Sequence, residues 1–593
     1  MSRHSRDPGK REKVQDARGT LKRLWKYLSY KKGLLLSVLV MVMISSAASL
    51  LGPFLVGMAI DDFIVTKDRN GIVVLIGSLI VIYIFHSLSI WLQNIWMIRV
   101  SQDTVYRLRK DLFHTFHQLP IPFFDRRQHG ELMSRVTNDI DNVSSTLNSS
   151  FIQILSSILT LIGTVTVMLW LSPLLTLITL TVIPIMFFGL RWITNRTGRL
   201  FKEYQQNLGD LNGFIEETIS GHSIIKTFSR EEMVKAELEK KNERLRRAGY
   251  WADTYSGFIP KLMNVLNNVS FAIIAGVGGI FALNGMITIG VIVIFAEYAR
   301  QFTRPLNELA NQFNTLLSAV AGAERVFHIL DEEVEGIENH GVENISSIRG
   351  EITFQHVSFS YNLVDGKILE DVSFTIKPGE TLALVGPTGA GKTTITNILS
   401  RFYEIDSGRV LVDGRDIQNI GREKLREHMG FVLQDSYLFK GTIRENIRYG
   451  RLIASDKEVE EAAKLANAHT FIEKLPNGYD TVLKQEGSGI SQGQKQLLSI
   501  ARAILSDPSL LILDEATSSI DTVTEVKIQE ALGRLMKDRT SIVVAHRLNT
   551  VQQADQILVI NDGKVIENGT HESLLEEEGF YYELFHSQLK EIG

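Results

Sequence analysis

Eight consecutive residues have the types and spacing needed to hold the phosphates of a nucleotide. They form the sequence GPTGAGKT at 386–393, between an apolar segment, TLALVG, and a helix-like segment, TTITNILSRFY. The glycines let backbone N–H groups surround phosphate oxygens, and the helix N-terminus adds the positive end of its dipole. Lys392 can reach the β- and γ-phosphates, and the Thr393 hydroxyl can ligate Mg²⁺. The pattern therefore predicts a phosphate loop that binds ATP with Mg²⁺. Its predicted nucleotide-contacting residues are Gly386, Pro387, Thr388, Gly389, Ala390, Gly391, Lys392, Thr393 and Thr394.

A second apolar segment, Ser509–Asp514, ends in two adjacent carboxylates. At the carboxyl end of a buried strand, Asp514 is placed to hold Mg²⁺. Glu515, directly after it, is placed to polarise the attacking water as a general base. An acid after an apolar strand is a weak signal alone, but beside a phosphate loop it predicts an ATP hydrolase.

Length, charge and composition limit the classes of protein to which this chain can belong. The chain has 593 residues, which is too many for one core. The net charge of -4 and the lack of a basic domain argue against a nucleic-acid partner. The absence of cysteine excludes disulfides, cysteine zinc sites and a cysteine nucleophile.

Long apolar segments fill the first half of the chain. A membrane-spanning helix needs about 20 apolar residues. Gly33–Ile60 and Gly71–Ile98 each predict one span. Asn142–Leu190, with the turn signal Ser172-Pro173, predicts two, and Leu262–Ala296, with Asn284-Gly285, begins another two. We therefore expect six spans followed by an α/β ATPase domain. The expected divisions are 1–32 (cytoplasmic segment with an elbow helix), 33–310 (transmembrane domain), 311–349 (linker) and 350–593 (ATPase domain).

Basic residues predict the orientation in the membrane. They concentrate in 1–32, 99–141 and 191–250, so these segments are expected in the cytoplasm together with the ATPase domain. Leu21–Leu28 alternates basic and apolar residues, which suits either an interfacial amphipathic helix or an ordinary basic flank. Glu297, inside the last span, suits either a substrate or proton contact or a pair with Arg300 on the same helix face.

Further sequence marks occur in the order found in ATP-binding-cassette (ABC) proteins. They are Tyr361, Gln434 in FVLQD, GISQGQ at 489–494, Ser519-Ile520-Asp521 and His546 in VVAHRL. Together with the phosphate loop they resemble this family. The resemblance implies that Tyr361 stacks on adenine, that Gln434 contacts Mg²⁺ and water, and that His546 contacts the γ-phosphate. It also implies that Ser491 and Gly493, in the signature peptide, contact ATP held by a second chain.

The membrane half resembles the exporters of the same family, with FFD…G…SR…D at 123–139 and the ATPase domain last. This implies a half-transporter in a cell membrane that works as a dimer by alternating access on amphipathic drugs, lipids or peptides. The resemblance also suggests that loop tips at 123–130 and 214–221 couple to ATPase domains. A soluble ABC ATPase is disfavoured by the spans, and a channel or regulator by the lack of an insertion between the halves. An importer is disfavoured because importers usually divide the two parts between chains.

Gln492 is a departure from the family's usual signature, LSGGQ, where a glycine stands at this place. A side chain here can restrict the approach of the backbone to a ligand. An intact Glu515 and His546 beside an altered signature resemble one subunit of asymmetric heterodimeric exporters. The sequence therefore favours a heterodimer with a second half-transporter chain, with a homodimer that tolerates Gln492 as the alternative.

Overall fold

The protein is described by a computed structural model that covers residues 16–335, 347–362, 366–434, 436–484, 487–514, 520–545 and 551–592. The chain forms two compact units. The first comprises Met1–His117 and His129–Glu332, and the second comprises Gln118–Gln128 and Glu333–Gly593. The short segment Gln118–Gln128 therefore belongs to the second unit, although the chain on both sides of it belongs to the first.

The first unit consists of helices. In chain order they are α1 Ala17–Leu28, α2 Lys32–Met58, α3 Arg69–Phe116, α5 His129–Ser134, α6 Ile140–Leu171, α7 Pro173–Leu180, α8 Val182–Ser220, α9 His222–Thr227, α10 Glu231–Leu283 and α11 Ile289–Leu330. Wider π-helical turns, Ala59–Ile64 and Arg135–Asp139, follow α2 and precede α6. The remaining helix of this region, α4 Ile121–Asp125, lies in the second unit.

Four helical segments in the described part of the chain are long and apolar enough to cross a membrane. They are Ala17–Ile64, Arg69–Phe116, His129–Leu171 and Glu231–Leu283. Two other long helices, α8 and α11, cover the regions where the sequence predicts the fourth and sixth spans. The helices extend well beyond the apolar runs, since α3 continues from Ile98 to Phe116.

Both predicted turns of the membrane half are present. Ser172 has an extended backbone between α6 and α7, and its hydroxyl accepts a hydrogen bond from the N–H of Leu175 at 3.4 Å, which caps α7. Asn284 ends α10, and Gly285 adopts a φ of 70° that suits glycine. The domain division differs from the expected one, because α11 continues as one helix to Leu330 and the first unit ends at Glu332.

The second unit contains a mixed α/β fold with three sheets in its described part. Its strands are β1 Ile352–Phe359, β2 Leu369–Ile376, β3 Thr381–Val385, β4 Ser407–Val412, β5 Arg415–Asp416, β6 Met429–Val432, β7 Gly441–Thr442, β8 Val482–Leu483, β9 Leu510–Asp514, β10 Thr540–Val544, β11 Gln556–Asn561 and β12 Lys564–Gly569. The sheet orders are β12-β11-β3-β10-β9-β6, β2-β1-β4-β5 and β7-β8. In the six-stranded sheet the neighbours from β11 to β6 are parallel, while β12 is antiparallel.

Helices pack around these sheets. They are α12 Lys392–Leu399, α13 Arg422–Glu427, α14 Ile443–Arg448, α15 Asp456–Leu465, α16 His469–Glu473, α17 Gln492–Ser506, α18 Thr522–Met536, α19 His571–Glu576 and α20 Phe580–Ile592. The central strands β3, β9 and β10 are almost entirely buried, which explains their continuous apolar sequences. The expected architecture of a helical membrane domain with an α/β ATPase domain is therefore confirmed.

Candidate nucleotide-binding site

The parallel strands bring several predicted site residues to one edge of the six-stranded sheet. Leu384 of β3 is level with Val544 of β10, and Val544 is level with Asp514 at the end of β9. On the next strand, β6 ends at Val432. The phosphate loop after β3 and Gln434 after β6 therefore start from the same edge as Asp514. This is the position at which open α/β sheets bind ligands, outside the carboxyl ends of their strands.

The phosphate loop has the predicted strand–loop–helix arrangement. It leaves β3 after Val385 and ends at Gly391, which has a φ of 103° and directly precedes α12. A β-carbon at Gly391 would lie 2.7 Å from a methyl group of Leu369, so both the backbone and the packing require glycine. The N-terminus of α12 consequently opens toward the loop, where its N–H groups can meet phosphate.

Lys392 is held inside this loop. Its ammonium group donates hydrogen bonds to the carbonyl oxygens of Gly386 at 2.7 Å and Pro387 at 2.9 Å. Burial lowers the pKa of Lys392, and the nearby charge of Asp514 acts in the opposite direction. The lysine thus sits between the loop backbone and the predicted Mg²⁺ ligand. In this position the ammonium group can stabilise the negative charge of bound phosphate. The side chain of Thr393 is exposed, and that of Thr394 is buried.

Tyr361 lies against the same helix. Its hydroxyl is 3.2 Å from the Thr394 hydroxyl and accepts a hydrogen bond from the side-chain amide of Asn397 at 3.4 Å. The rings of Phe359 and Tyr403 meet the Tyr361 ring nearly edge-on, with centroids 4.9 and 4.8 Å away. These contacts place the predicted adenine-stacking residue next to the phosphate loop.

The signature peptide forms the start of α17. The Ser491 hydroxyl accepts a hydrogen bond from the N–H of Gln494 at 3.3 Å, and the Gln494 side chain accepts one from the N–H of Ser491 at 2.9 Å. This reciprocal pair is a capping box, which fixes the first turn of the helix. The first turn therefore presents Ser491 and Gln492 on the surface, where both are exposed.

The two residues that follow Ser491 have different environments. Gly493 is buried, and a β-carbon there would lie 2.5 Å from a methyl group of Thr524 and 3.1 Å from one of Ile520. Gln492 is exposed at the first helical position, where the backbone is already helical. The side chain of Gln492 is therefore accessible to a molecule that approaches the start of α17.

Three of the predicted marks lie wholly or partly outside the described residues. Glu515 follows Asp514, and His546 follows Ala545, so the structure locates only the strand ends that precede them. Of the segment Ser519-Ile520-Asp521, Ile520 and Asp521 are described. The Asp521 carboxylate accepts a hydrogen bond from the N–H of Thr524 at 2.9 Å, which caps α18 and lowers the pKa of Asp521.

The structure adds Tyr403, which the sequence analysis did not select, and joins it to the predicted loop tip at 123–130. Tyr403 donates a hydrogen bond to the Asp125 carboxylate at 2.6 Å, and Arg126 donates one to the carbonyl of Tyr361 at 3.1 Å. Burial and the Asp125 hydrogen bond raise the pKa of Tyr403, so its phenol remains protonated. Tyr403 lies shortly after the end of α12, and no local sequence pattern identifies it as a site residue. Through Tyr403 and Arg126, the segment Gln118–Gln128 contacts the residues around the adenine position.

In the membrane half, two glutamates of α11 form different contacts. Glu297 lies 3.5 Å from Arg300, and both side chains remain substantially exposed. Of the two alternatives that the sequence left open for Glu297, the pair with Arg300 is therefore present. Glu308 instead accepts hydrogen bonds from Gln153 and, at 3.1 Å, from Ser157, and pairs with Arg304 at 2.9 Å. Glu308 thus joins α11 to α6, which the sequence analysis did not anticipate.

Comparisons with known proteins agree with this arrangement. Residues 35–306 match the family described as ABC transporter transmembrane region, and residues 369–518 match the family described as ABC transporter. The chain is 62% identical to the uncharacterized ABC transporter ATP-binding protein YfiC of Bacillus subtilis over 98% of this chain and 96% of that protein. It is 44% identical to a fatty acid ABC transporter ATP-binding/permease protein of Mycobacterium tuberculosis, over 85% of this chain and 79% of that one.

A solved structure also resembles this chain over most of its length. A bacterial Atm1-family ABC exporter with ATP bound superposes with a TM-score of 0.75 at 29% identity, covering 94% of this chain and 99% of that one. The chain therefore belongs to the ABC transporters. Its transmembrane region and its ATPase domain lie in one polypeptide, so it is an ATPase coupled to transport.

Proposed function

We propose that this chain uses ATP to export amphipathic or hydrophobic molecules of the multidrug type by alternating access. The observation that carries the proposal is the common sheet edge of the phosphate loop, Asp514 and Gln434, in a chain that also supplies a membrane region. The fatty-acid name of the mycobacterial relative supports an amphipathic substrate. The exposed apolar surface of the membrane helices suits the same class, within a multi-pass protein whose ATPase domain faces the cytoplasm.

Within the site, we assign the chemical roles as follows. Lys392 and the loop N–H groups hold the β- and γ-phosphates, while Thr393, Asp514 and Gln434 provide oxygens for Mg²⁺. Glu515 accepts the proton of the attacking water, and His546 contacts the γ-phosphate. The metal ion would neutralise charge that develops on the phosphates.

The active unit is a dimer in which the second chain completes each ATP site. We infer a heterodimer, because the signature is altered at Gln492 while Glu515 and His546 are intact. Gln492 is exposed at the first position of α17, where the signature would meet ATP held by the other chain. In this arrangement the productive site combines Lys392 and Glu515 of this chain with an unaltered signature of the partner. The site that uses this chain's Ser491, Gln492 and Gly493 would turn over slowly.

ATPase measurements test this proposal directly. The chain is purified alone and also with the half-transporter that co-purifies from its native membrane, and both preparations are reconstituted in liposomes. We expect ATP hydrolysis and dye transport only from the pair. Full turnover by the chain alone would refute the heterodimer and leave the exporter intact. In a third outcome, the pair hydrolyses ATP without stimulation by any amphipathic compound and without moving dye. That result would refute the proposed substrate class.

A further inference from the structure

A cleft of about 500 Å³ lies in the first unit, between the first helix and the cytoplasmic extension of the third. Its lining contains four cationic side chains, three tyrosines and one carboxylate. The residues are Arg23, Lys26, Tyr27, Tyr30, Tyr106, Arg107, Lys110 and Asp111. None of these lining residues takes part in the nucleotide chemistry described above.

Positive charge in this cleft exceeds what the protein itself neutralises. Arg23 forms an ion pair with Asp331, and the Asp111 carboxylate accepts a hydrogen bond from the neutral Tyr27 hydroxyl at 2.8 Å. The Arg107 guanidinium lies over the ring of Tyr30, 3.3 Å from its centroid. Lys26 and Lys110 are exposed, and neither ammonium has an ion-pair partner within the described part of the chain. An anion entering the cleft would therefore meet Lys26, Arg107 and Lys110, whose three positive charges exceed the single negative charge of Asp111.

The cleft lies just beyond the ends of the apolar segments of α2 and α3. Lys31, just before α2, forms an ion pair with Asp103 of α3, so these two residues lie at one level. The apolar run of α2 starts at Gly33, while that of α3 ends at Ile98. Tyr106 and Lys110 follow Asp103 by one to two helical turns. The cleft thus opens where the basic cytoplasmic ends of the helices leave the apolar region.

The surface beside the cleft is suited to lipid. Trp25 is 50% exposed and Tyr30 is 64% exposed, as expected for aromatic residues at a membrane interface. Leu36, Val40 and Met43 follow at helical spacing on α2, and all three are exposed. A ligand with its anionic group in the cleft would have room for acyl chains along this apolar stripe.

We propose that this cleft binds the phosphate group of an anionic glycerophospholipid from the inner leaflet. A free phosphate ion shares the anionic chemistry, but it would make no use of Trp25 or the apolar stripe. Basic groups next to a membrane attract acidic lipids, and lysines at the surface each add to that attraction. The lipid would hold α1 against the membrane surface, at the entrance to the first span.

The test compares two pairs of charge-removing substitutions in the full-length protein. Lys26→Gln with Lys110→Gln removes the two lysine charges of the cleft. Lys22→Gln with Lys32→Gln removes the same charge from residues outside the lining and serves as the matched control. Native mass spectrometry of detergent-purified protein measures binding of phosphatidylglycerol, phosphatidylcholine and inorganic phosphate.

We expect the unmodified protein to bind phosphatidylglycerol in preference to phosphatidylcholine. The cleft pair should weaken phosphatidylglycerol binding by about tenfold, and the control pair by less than about twofold. Lys26→Arg with Lys110→Arg should restore binding, which separates charge loss from misfolding. Equal losses of phosphatidylglycerol binding in both pairs would show that the effect comes from general surface charge. This result would overturn the proposal. Inorganic phosphate that displaces the lipid at equal concentration would also overturn it.

Discussion

The phosphate loop and the signature peptide both present the N-terminus of a helix, yet they are built differently. At the phosphate loop, Gly391 has a left-handed backbone and Lys392 is held by the carbonyls of Gly386 and Pro387. At the signature, Ser491 caps its own helix and Gln492 projects from the surface. The first is organised by contacts within the chain, whereas the second is a surface that a partner must approach.

The phosphate loop and the signature peptide are therefore constrained in different ways in their amino-acid sequences. A change in the phosphate loop alters the binding of ATP by this chain. A change at the exposed Gln492 is expected to act mainly on a partner that docks at the start of α17. Gly493 combines both situations, because it belongs to the signature but is packed against Thr524 and Ile520. The predictions below test this division, from the largest expected effect to the smallest.

The largest effect is expected from Glu515→Gln in the active transporter. The amide cannot accept the proton of the attacking water, so ATP hydrolysis should fall by about 100-fold or more. Binding of a fluorescent ATP analogue should change little, because phosphate contacts remain. Steady-state ATPase assays and binding titrations measure the two quantities. Substantial residual hydrolysis would exclude Glu515 as the general base.

Lys392→Ala should affect ATP binding itself. It removes a charged phosphate ligand, so the affinity for ATP should weaken by about 10- to 100-fold. The same titration measures this change. A suitable control is Lys367→Ala, which removes an exposed lysine ahead of β2. Equal affinity for ATP in Lys392→Ala and the unmodified protein would contradict the role assigned to the loop.

Gly493→Ala should destabilise the ATPase unit through packing alone. The added methyl group collides with Thr524, and overpacking of this kind costs about 1–3 kcal/mol. Gly533→Ala is the matched control, because a β-carbon at Gly533 of α18 meets nothing within 4 Å. We expect a lower thermal unfolding midpoint for the first substitution and an unchanged or higher one for the second. The reverse order would refute the packing argument.

Gln492→Gly should have a small effect on the heterodimer that we propose. The productive site uses the partner's signature, so turnover of the pair should change by less than about threefold, because no transition-state contact is lost. Ser491→Ala in the same chain should behave similarly. If Gln492→Gly instead raises ATPase activity of the chain alone many times over, the chain functions as a homodimer limited by its signature.

The smallest effect on basal turnover is expected from Tyr403→Phe. The substitution removes only the hydrogen bond to the exposed Asp125, so basal ATP hydrolysis should remain within about twofold. Stimulation of hydrolysis by an amphipathic substrate should decrease, because Gln118–Gln128 loses a contact near Tyr361. Asp125→Asn, which retains an acceptor for the Tyr403 hydroxyl, should preserve stimulation. Unchanged stimulation in Tyr403→Phe would exclude this coupling role.

Much of the architecture was predictable because its signals are local. The phosphate loop occupies eight consecutive residues, and the apolar runs of the membrane half are continuous. The turns at Ser172 and Asn284-Gly285 were also predictable, since backbone preferences act within a few residues. The extent of α11 was not, because a polar helix beyond the membrane resembles a linker in composition.

Local sequence thus specified the phosphate loop, the buried strand before Asp514 and the apolar segments, since each depends on neighbouring residues. The tertiary structure alone brought Tyr403 to Asp125, Gly493 to Thr524 and the basic residues of α1 to those of α3. These pairs are distant in the chain, and their contact depends on how the helices and strands pack. The altered signature was visible as Gln492 in the sequence, but only the fold placed that side chain on the surface.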